Sequence, residues 1–284
     1  MCGKKKFFSL QRQKRKETDT DVVRKLENSQ RKLEQTMKRL LFNVFDQVLD
    51  ALPQGIRESQ FSVRVVIAGC TGVGKSSTAN ALLGTNWKVG HVRATTREIE
   101  AKQLVLVEDG VETPSNIEVI DVPGLGESIA RDREYIPIYV ELLKTCDAMI
   151  WLQSANERQM TSTQIYLNKL VTALPDLASR TVIGLNKADL VEPMGWCFTT
   201  SLPNESQERN IHHRVDDVFG HLQATESLCK IPQERIVAFS AKYGWRVWSA
   251  LSALNDTLKG GKKMSLLRFG RSKRWVFNSN LEKE

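Results

Sequence analysis

The residues of this chain that could do chemistry begin with a glycine-rich segment, Gly69-Cys70-Thr71-Gly72-Val73-Gly74-Lys75-Ser76. Its form is G-x-x-x-x-G-K-S, in which glycines let backbone amides point inward at phosphate groups. Lys75 is expected to reach the β- and γ-phosphates, and the Ser76 hydroxyl to bind Mg²⁺. The segment therefore predicts a loop that binds a nucleoside triphosphate. The residues assigned to phosphate binding are Gly69, Thr71, Gly72, Val73, Gly74, Lys75, Ser76 and Ser77.

The sequence on each side of this phosphate loop fits that interpretation, because such a loop needs a strand before it and a helix after it. Residues 61–68 are rich in β-branched side chains and predict a short buried strand. Residues 77–83 are rich in Ala and Leu and predict a helix, which Gly84 can end. An ordinary glycine-rich turn between strand and helix is the alternative.

A second motif, Asp121-Val122-Pro123-Gly124, follows another predicted strand, 116–121. The Asp121 carboxylate suits the outer shell of Mg²⁺, bound through a water molecule. Gly124 can present its amide to the γ-phosphate and lose that contact on hydrolysis, which is the basis of an order–disorder switch. A plain turn is the alternative, since Pro and Gly are turn formers.

A polar segment, 93–98, lies between the first predicted helix and that strand. A threonine hydroxyl there could complete the Mg²⁺ shell, and we favour Thr96 over Thr95 from its position in the motif. A solvated connector is the alternative. The predicted metal ligands are thus Ser76, Thr96 and Asp121, and the predicted catalytic residues are Lys75, Ser76, Thr96 and Gly124.

A third motif, Asn186-Lys187-Ala188-Asp189, follows the apolar run 182–185. The Asp189 carboxylate can accept hydrogen bonds from both the ring N–H and the exocyclic amine of guanine, a donor pair that adenine lacks. Asn186 is expected to tie the base to the phosphate loop, and the Lys187 stem to cover the ring face. A charged loop is the alternative interpretation of these four residues.

A fourth short motif, Ser240-Ala241-Lys242, follows a predicted strand at 235–239. Backbone amides in this motif could contact the guanine oxygen and add to the base preference. The tripeptide carries no signal alone, but its position behind the other motifs supports a guanine site. An enzyme that uses ATP is the alternative, and Asn186-Lys187-Ala188-Asp189 disfavours it.

The four motifs, in this order, resemble those of the Era-like branch of the translation-factor-related P-loop GTPases. Thr95-Thr96-Arg97 and Tyr243-Gly244-Trp245 resemble most closely the YeeP/YfjP group of bacterial GTPases. The resemblance covers roughly residues 45–260. It implies a domain that binds GTP or GDP with Mg²⁺, hydrolyses GTP and acts as a molecular switch. The group is often labelled ribosome-binding.

Two positions depart from the pattern of the family. Gly72 stands where many Era-like relatives have an asparagine that supports a potassium ion, so potassium activation is not implied. Leu125 stands where a Ras-like enzyme has a water-positioning glutamine. Glu127, Arg93 or Arg97 could substitute, although each reads more simply as a solvated charge. We therefore expect slow intrinsic hydrolysis, with a GTP-loaded scaffold that hydrolyses little as the alternative.

The composition indicates the cellular compartment in which the protein is expected to function. The chain has 284 residues, a net charge of +8 and five scattered cysteines without C-x-x-C spacing. That cysteine pattern favours reduced thiols and disfavours a zinc site. The sequence has no apolar run as long as a membrane span and no signal-peptide core. We therefore expect a cytoplasmic protein, with peripheral membrane association left open.

The ends of the chain differ from its middle. Residues 4–16 and 259–274 each carry seven basic and no acidic side chains. These ends could bind RNA, the ribosome or an anionic membrane surface, although solvated tails are the simpler interpretation. Residues 18–55 have apolar positions at steps of three, four and seven and predict an amphipathic helix. That helix is expected to pack on the adjoining domain, and dimerisation or a membrane contact is the alternative. A nucleotide-dependent dimer of the whole protein is also considered.

The predicted order of elements indicates an α/β fold. Strands are predicted at 61–68, 99–107, 116–121, 147–153, 181–186 and 235–239. Asp109-Gly110 predicts a hairpin turn after the second strand, and the other strands alternate with helices. The expected fold is a P-loop NTPase G domain over residues 56–258, with a mostly parallel six-stranded sheet and helices on both faces. A polar stretch, 191–210, predicts an insertion loop after the third motif.

Overall fold

The computed structural model describes residues 62–83, 100–108, 111–126, 128–260 and 262–263. Several predictions made from the sequence lie outside these residues. They concern the basic tail at 1–17, the amphipathic helix at 18–55, the segment 93–98 with Thr96, the turn at Asp109-Gly110, Glu127 and most of the tail at 259–284. The predicted domain boundaries at 17, 55 and 258 remain predictions.

A six-stranded sheet forms the centre of the fold. Its strands are β1 (Val63–Gly69), β2 (Glu100–Glu108), β3 (Val111–Asp121), β4 (Ala148–Ser154), β5 (Thr181–Asn186) and β6 (Ile236–Ala238). Their order across the sheet is β2-β3-β1-β4-β5-β6. Five strands run parallel, and β2 pairs with β3 in the antiparallel sense at one edge. The predicted mostly parallel six-stranded sheet is confirmed.

In the part of the chain that the structure describes, five α-helices connect or follow these strands. They are α1 (Lys75–Leu83), α2 (Ile129–Lys144), α3 (Thr161–Ala173), α4 (Glu205–Gln223) and α5 (Val247–Thr257). Side-chain caps set two of the helix starts. Ser128 Oγ accepts from the Arg131 amide at 3.3 Å, and Asn204 Oδ1 accepts from the Gln207 amide at 2.8 Å. Within the described ranges, no helix combines the length and the apolar character that crossing a membrane requires.

Helices cover both faces of the sheet, as predicted. Along β1, Val63, Val65 and Ile67 pack with residues of α1 and α5. The intervening Val66 and Ala68 pack with residues of α2, α3 and α4 on the other face. This two-sided burial explains why the central strands read as nearly continuous apolar runs. It leaves the carboxyl ends of the parallel strands as the edge where a ligand site can form.

Three of the element boundaries that differ from the sequence prediction have a clear structural cause. Helix α1 begins at Lys75 rather than at residue 77, because the Thr78 amide already donates to the Gly74 carbonyl at 2.9 Å. Strand β3 begins at Val111, five residues early, because its pairing with β2 extends to the end of the hairpin. Helix α4 begins inside the predicted insertion loop, since Asn204 supplies a cap that ends the loop.

Candidate functional site

The phosphate loop connects the end of β1 to the start of α1. Lys75 Nζ donates to the carbonyls of Gly69 at 3.4 Å and Cys70 at 3.1 Å, so the ammonium group lies across the loop. Gly74 has a φ of +90°, and a Cβ there would lie 2.6 Å from Asn186 Nδ2. Only glycine therefore allows the asparagine of the third motif to approach the loop this closely.

The two predicted metal ligands within the described residues lie side by side. Ser76 Oγ donates to Asp121 Oδ2 at 2.9 Å, and both residues are buried. Strand pairing produces this contact, because Asp121 at the end of β3 is in register with Ile67 of β1. A hydroxyl beside a carboxylate is an all-oxygen donor set that suits Mg²⁺ shared with substrate phosphates. The third predicted ligand, Thr96, lies outside the described residues.

The segment Asp121–Gly126, which we call the sensor segment, lies against the phosphate loop. A Cβ on Gly124 would lie 2.3 Å from Thr71 Oγ1 and 2.8 Å from the Thr71 amide nitrogen. The Leu125 carbonyl accepts from the Thr71 amide at 3.2 Å, and the Leu125 amide donates to the Gly69 carbonyl at 3.4 Å. Gly124 is thus held next to the loop that would cradle the phosphates.

Leu125 stands at the position where a Ras-like enzyme has a water-positioning glutamine. Its side chain is 0% exposed and packs in the core between the sheet and α2, α3 and α4. An apolar side chain is therefore required here for packing, and its backbone alone faces the phosphate loop. Glu127, Arg93 and Arg97, the considered substitutes, lie outside the described residues.

Asn186 joins the phosphate loop to the fourth motif. Its Nδ2 donates to the Val73 carbonyl at 3.0 Å, and its Oδ1 accepts from the Ala241 amide at 3.0 Å. The neighbouring Lys187 has a φ of +63°, and its Nζ donates to the Gly72 carbonyl at 2.7 Å. Of the backbone amides in the fourth motif, which were predicted to contact the guanine oxygen, that of Ala241 donates to Asn186 Oδ1 in this structure. The third and fourth motifs and the phosphate loop thus form one hydrogen-bonded unit.

Asp189 is oriented by Ser240. Ser240 Oγ donates to Asp189 Oδ1 at 2.7 Å, and both side chains are buried. The Tyr243 amide donates to Ser240 Oγ at 3.3 Å, which fixes the hydroxyl from the other side. At Lys242, which is exposed, a hydrogen bond with Tyr243 raises the pKa above its ordinary value. The carboxylate predicted to read guanine is therefore held in place by the serine of the fourth motif.

An aromatic cluster joins the loop after the third motif to the segment after the fourth. The Trp196 ring lies 5.4 Å from the Tyr243 ring and 5.7 Å from the Trp245 ring, measured between centroids. The Arg246 guanidinium lies 5.4 Å from the Trp245 centroid. The predicted insertion loop is therefore anchored beside Asp189 and Ser240 by Trp196.

Three residues near the site were missed by sequence reasoning. Tyr139 Oη donates to the Pro123 carbonyl at 2.6 Å. Asp132 Oδ1 accepts from the Gly126 amide at 2.9 Å, and Tyr166 Oη donates to Asp132 Oδ2 at 2.5 Å. Burial raises the pKa of Tyr139 well above its ordinary value, and the hydrogen bond with Asp132 raises the pKa of Tyr166 to about 12. None of the three belongs to a local motif, so only the packing of α2 and α3 reveals them.

Comparisons with known proteins agree with this geometry. Residues 64–187 match the family described as 50S ribosome-binding GTPase. The chain is 29% identical to YkfA of Escherichia coli over 197 residues, which are 66% of this chain and 65% of YkfA. It is 27% identical to YfjP of the same organism over 166 residues, which are 58% of this chain and 54% of YfjP. The chain therefore spans less than two thirds of the length of either relative.

A solved structure shows the same fold. Aquifex aeolicus Era bound to GDP and AlF4⁻ has a TM-score of 0.51 at 19% identity, covering 70% of this chain and 58% of Era. The sheet order, the phosphate loop joined to the third and fourth motifs, and these matches lead to one conclusion. The chain has the P-loop GTPase fold, residues 64–187 match a GTPase family, and the sequence is similar to those of YfjP and YkfA.

Proposed function

We propose that this protein binds GTP and GDP with Mg²⁺, hydrolyses GTP slowly and acts as a molecular switch. The observation that carries the proposal is the Asn186 side chain, which bonds the phosphate loop at Val73 and the fourth motif at Ala241. A site whose base-reading and phosphate-binding halves share one buried side chain is suited to a ligand that has both parts. A guanine nucleotide is that ligand, because Asp189 can accept both of its donors.

The phosphate-binding half would work through charge and backbone amides. Lys75 would contact the β- and γ-phosphates from its position across the loop, and the α1 N-terminus adds the positive end of its dipole. Ser76 would ligate Mg²⁺ directly, and Asp121 would hold a metal-bound water. Mg²⁺ in such a site neutralises the charge that develops on the transferred phosphoryl group.

Hydrolysis would proceed by attack of a water oxygen on the γ-phosphorus. The bond to the bridging oxygen breaks, GDP leaves, and the water proton ends on the released phosphate. The Gly124 amide and Lys75 would stabilise charge on the γ-phosphate oxygens in the transition state. Leu125 has no group that orients the water and is buried, so this chain is expected to turn over slowly without a partner.

The second candidate function is a GTP-loaded scaffold that barely hydrolyses, and the buried Leu125 is the observation that favours it. Such a scaffold would bind RNA, the ribosome or an anionic membrane through its basic ends. The matching family is described as 50S ribosome-binding, which supports the ribosomal alternative. Dimerisation is described as important for the GTPase activity of the chloroplast translocon components atToc33 and psToc159, and the solved structure so described has the same fold at a TM-score of 0.50 and 19% identity. A dimer is therefore a further proposal for this chain.

The test is a titration of the full chain with fluorescent GTP, GDP and ATP in Mg²⁺, with phosphate release followed on the same sample. Selective GTP binding with turnover supports the switch, and selective binding without turnover supports the scaffold. Preference for ATP would overturn both. Asp189→Asn should move the preference from guanine to xanthine nucleotides, whereas Asp256→Asn, on the exposed face of α5, should not.

A further inference from the structure

The sensor segment is held on two opposite sides. On one side, the phosphate loop bonds it through Leu125, with the Thr71 amide and the Gly69 carbonyl as partners, and through Ser76 on Asp121. On the other side, helices α2 and α3 bond it through Tyr139, Asp132 and Tyr166. The three helix residues of this second set belong to none of the four motifs.

The helix contacts bracket Gly124 along the chain. Tyr139 holds the carbonyl of Pro123, which is the residue immediately before Gly124. Asp132 holds the amide of Gly126, two residues after it, where the backbone takes a φ of +86°. The Pro123 carbonyl belongs to the same planar peptide group as the Gly124 amide, and the Gly126 amide lies two residues further on, so contacts from α2 act on the orientation of the Gly124 amide.

The burial of the Asp132 carboxylate is not explained by the role that an acidic residue commonly has in the first turn of a helix. An acidic residue in the first turn commonly serves the helix dipole from an exposed position. Ser128 already caps α2, and the Asp132 carboxylate is buried, with Asp132 only 7% exposed. Both carboxylate oxygens are engaged, one by the Gly126 amide and the other by the Tyr166 hydroxyl. The burial of this carboxylate is thus tied to fixing the sensor segment.

We propose that Asp132 and Tyr166 are positioning residues that pre-orient the Gly124 amide for the γ-phosphate; this inference rests on the proposed function. A ligand that contacts a pre-ordered segment avoids the free energy of ordering it. GTP would contact the Gly124 amide and benefit, whereas GDP lacks the phosphate that reaches it. Removing the contacts that Asp132 and Tyr166 make therefore weakens triphosphate binding selectively and slows hydrolysis, with little effect on the affinity for GDP.

The test compares the affinities of the full chain for GDP and for a non-hydrolysable analogue, GMPPNP, and measures phosphate release from GTP. Tyr166→Phe removes the hydroxyl and keeps the ring, and it should lower the ratio of GMPPNP to GDP affinity about fivefold, the effect of one hydrogen bond. Asp132→Asn leaves one acceptor oxygen for two donors and should lower the ratio about tenfold or more. Tyr135→Phe, on the same helix, removes a hydroxyl that makes no described hydrogen bond and should leave the ratio unchanged.

Three results would overturn the inference. The first is an unchanged ratio in Tyr166→Phe when circular dichroism and thermal melting show a folded protein and wild type binds GMPPNP. The second is a rise in the ratio, which would mean that the contacts hold a conformation opposed to GTP. The third is an equal loss of GDP and GMPPNP affinity, the mark of a purely structural role. If the Asp132→Asn variant does not fold, the ratio of GMPPNP to GDP affinity in the Tyr166→Phe variant alone tests the inference. Failure of wild type to bind either nucleotide would instead overturn the proposed function.

Discussion

Replacing Asn186 by alanine should be one of the most damaging single changes to this domain that does not alter its apolar core. The side chain is only 3% exposed, and it bonds the Val73 carbonyl and the Ala241 amide, both at 3.0 Å. Alanine leaves both backbone groups without these bonds inside the domain. At about 1–1.5 kcal/mol for each hydrogen bond, the free energy of unfolding should fall by about 2–3 kcal/mol.

A buried asparagine elsewhere in the domain provides the matched control. Asn255 on α5 is 5% exposed, and its Oδ1 has no hydrogen-bond partner within the described residues. Asn255→Ala removes the same atoms without breaking a described side-chain bond, and alanine also favours helix. The free energy of unfolding should therefore change by less than about 1 kcal/mol.

Urea unfolding followed by tryptophan fluorescence measures both variants. For a slope of roughly 2–3 kcal/mol per molar, Asn186→Ala should lower the urea midpoint by about 1 M. Nucleotide affinity should fall as well, since the phosphate loop and the fourth motif lose their common support. An Asn186→Ala midpoint no lower than that of Asn255→Ala would refute the claim that this side chain joins the two halves of the site.

Four further predictions concern the site and its thiols. Lys75→Ala should abolish tight GTP binding in a fluorescence titration, and retained binding would contradict the phosphate-loop assignment. Ser76→Ala should raise the Mg²⁺ concentration needed for half-maximal binding about tenfold or more, measured at fixed GTP. Leu125→Gln should lower thermal stability without accelerating phosphate release, because it buries an amide in the core at a cost of about 1–3 kcal/mol; faster release would show that the residue can position water. Alkylation mapped by mass spectrometry at pH 7 should label Cys197 before Cys70. Hydrogen bonds with Thr199 and Thr200 lower the Cys197 pKa to about 7, whereas burial raises the Cys70 pKa to about 11. Faster labelling of Cys70 would contradict the prediction that Cys197 is the more reactive thiol.

Most of the strands and helices could be predicted from the local pattern of apolar and polar residues. The β-branched run before Gly69 and the apolar run before Asn186 identify central strands, because both faces of a parallel sheet are buried. The predicted start of an element was wrong where the interaction that sets it comes from outside the local sequence pattern. Strand β3 starts at Val111 because its partner strand continues to that point. Helix α4 starts at Glu205 because Asn204 caps it inside a stretch whose composition is that of a loop.

The sequence by itself determined the chemistry available to this protein: a phosphate loop, a carboxylate able to read guanine, and an apolar residue where a polar one would orient water. These features are short and contiguous, so their residue types carry the signal. Only the tertiary structure decided how they are joined. Asn186 meets Val73 because β5 and β1 end at the same edge of the sheet. Asp132 and Tyr166 reach the sensor segment because α2 and α3 pack on one face, a juxtaposition of residues 34 apart that no local pattern encodes.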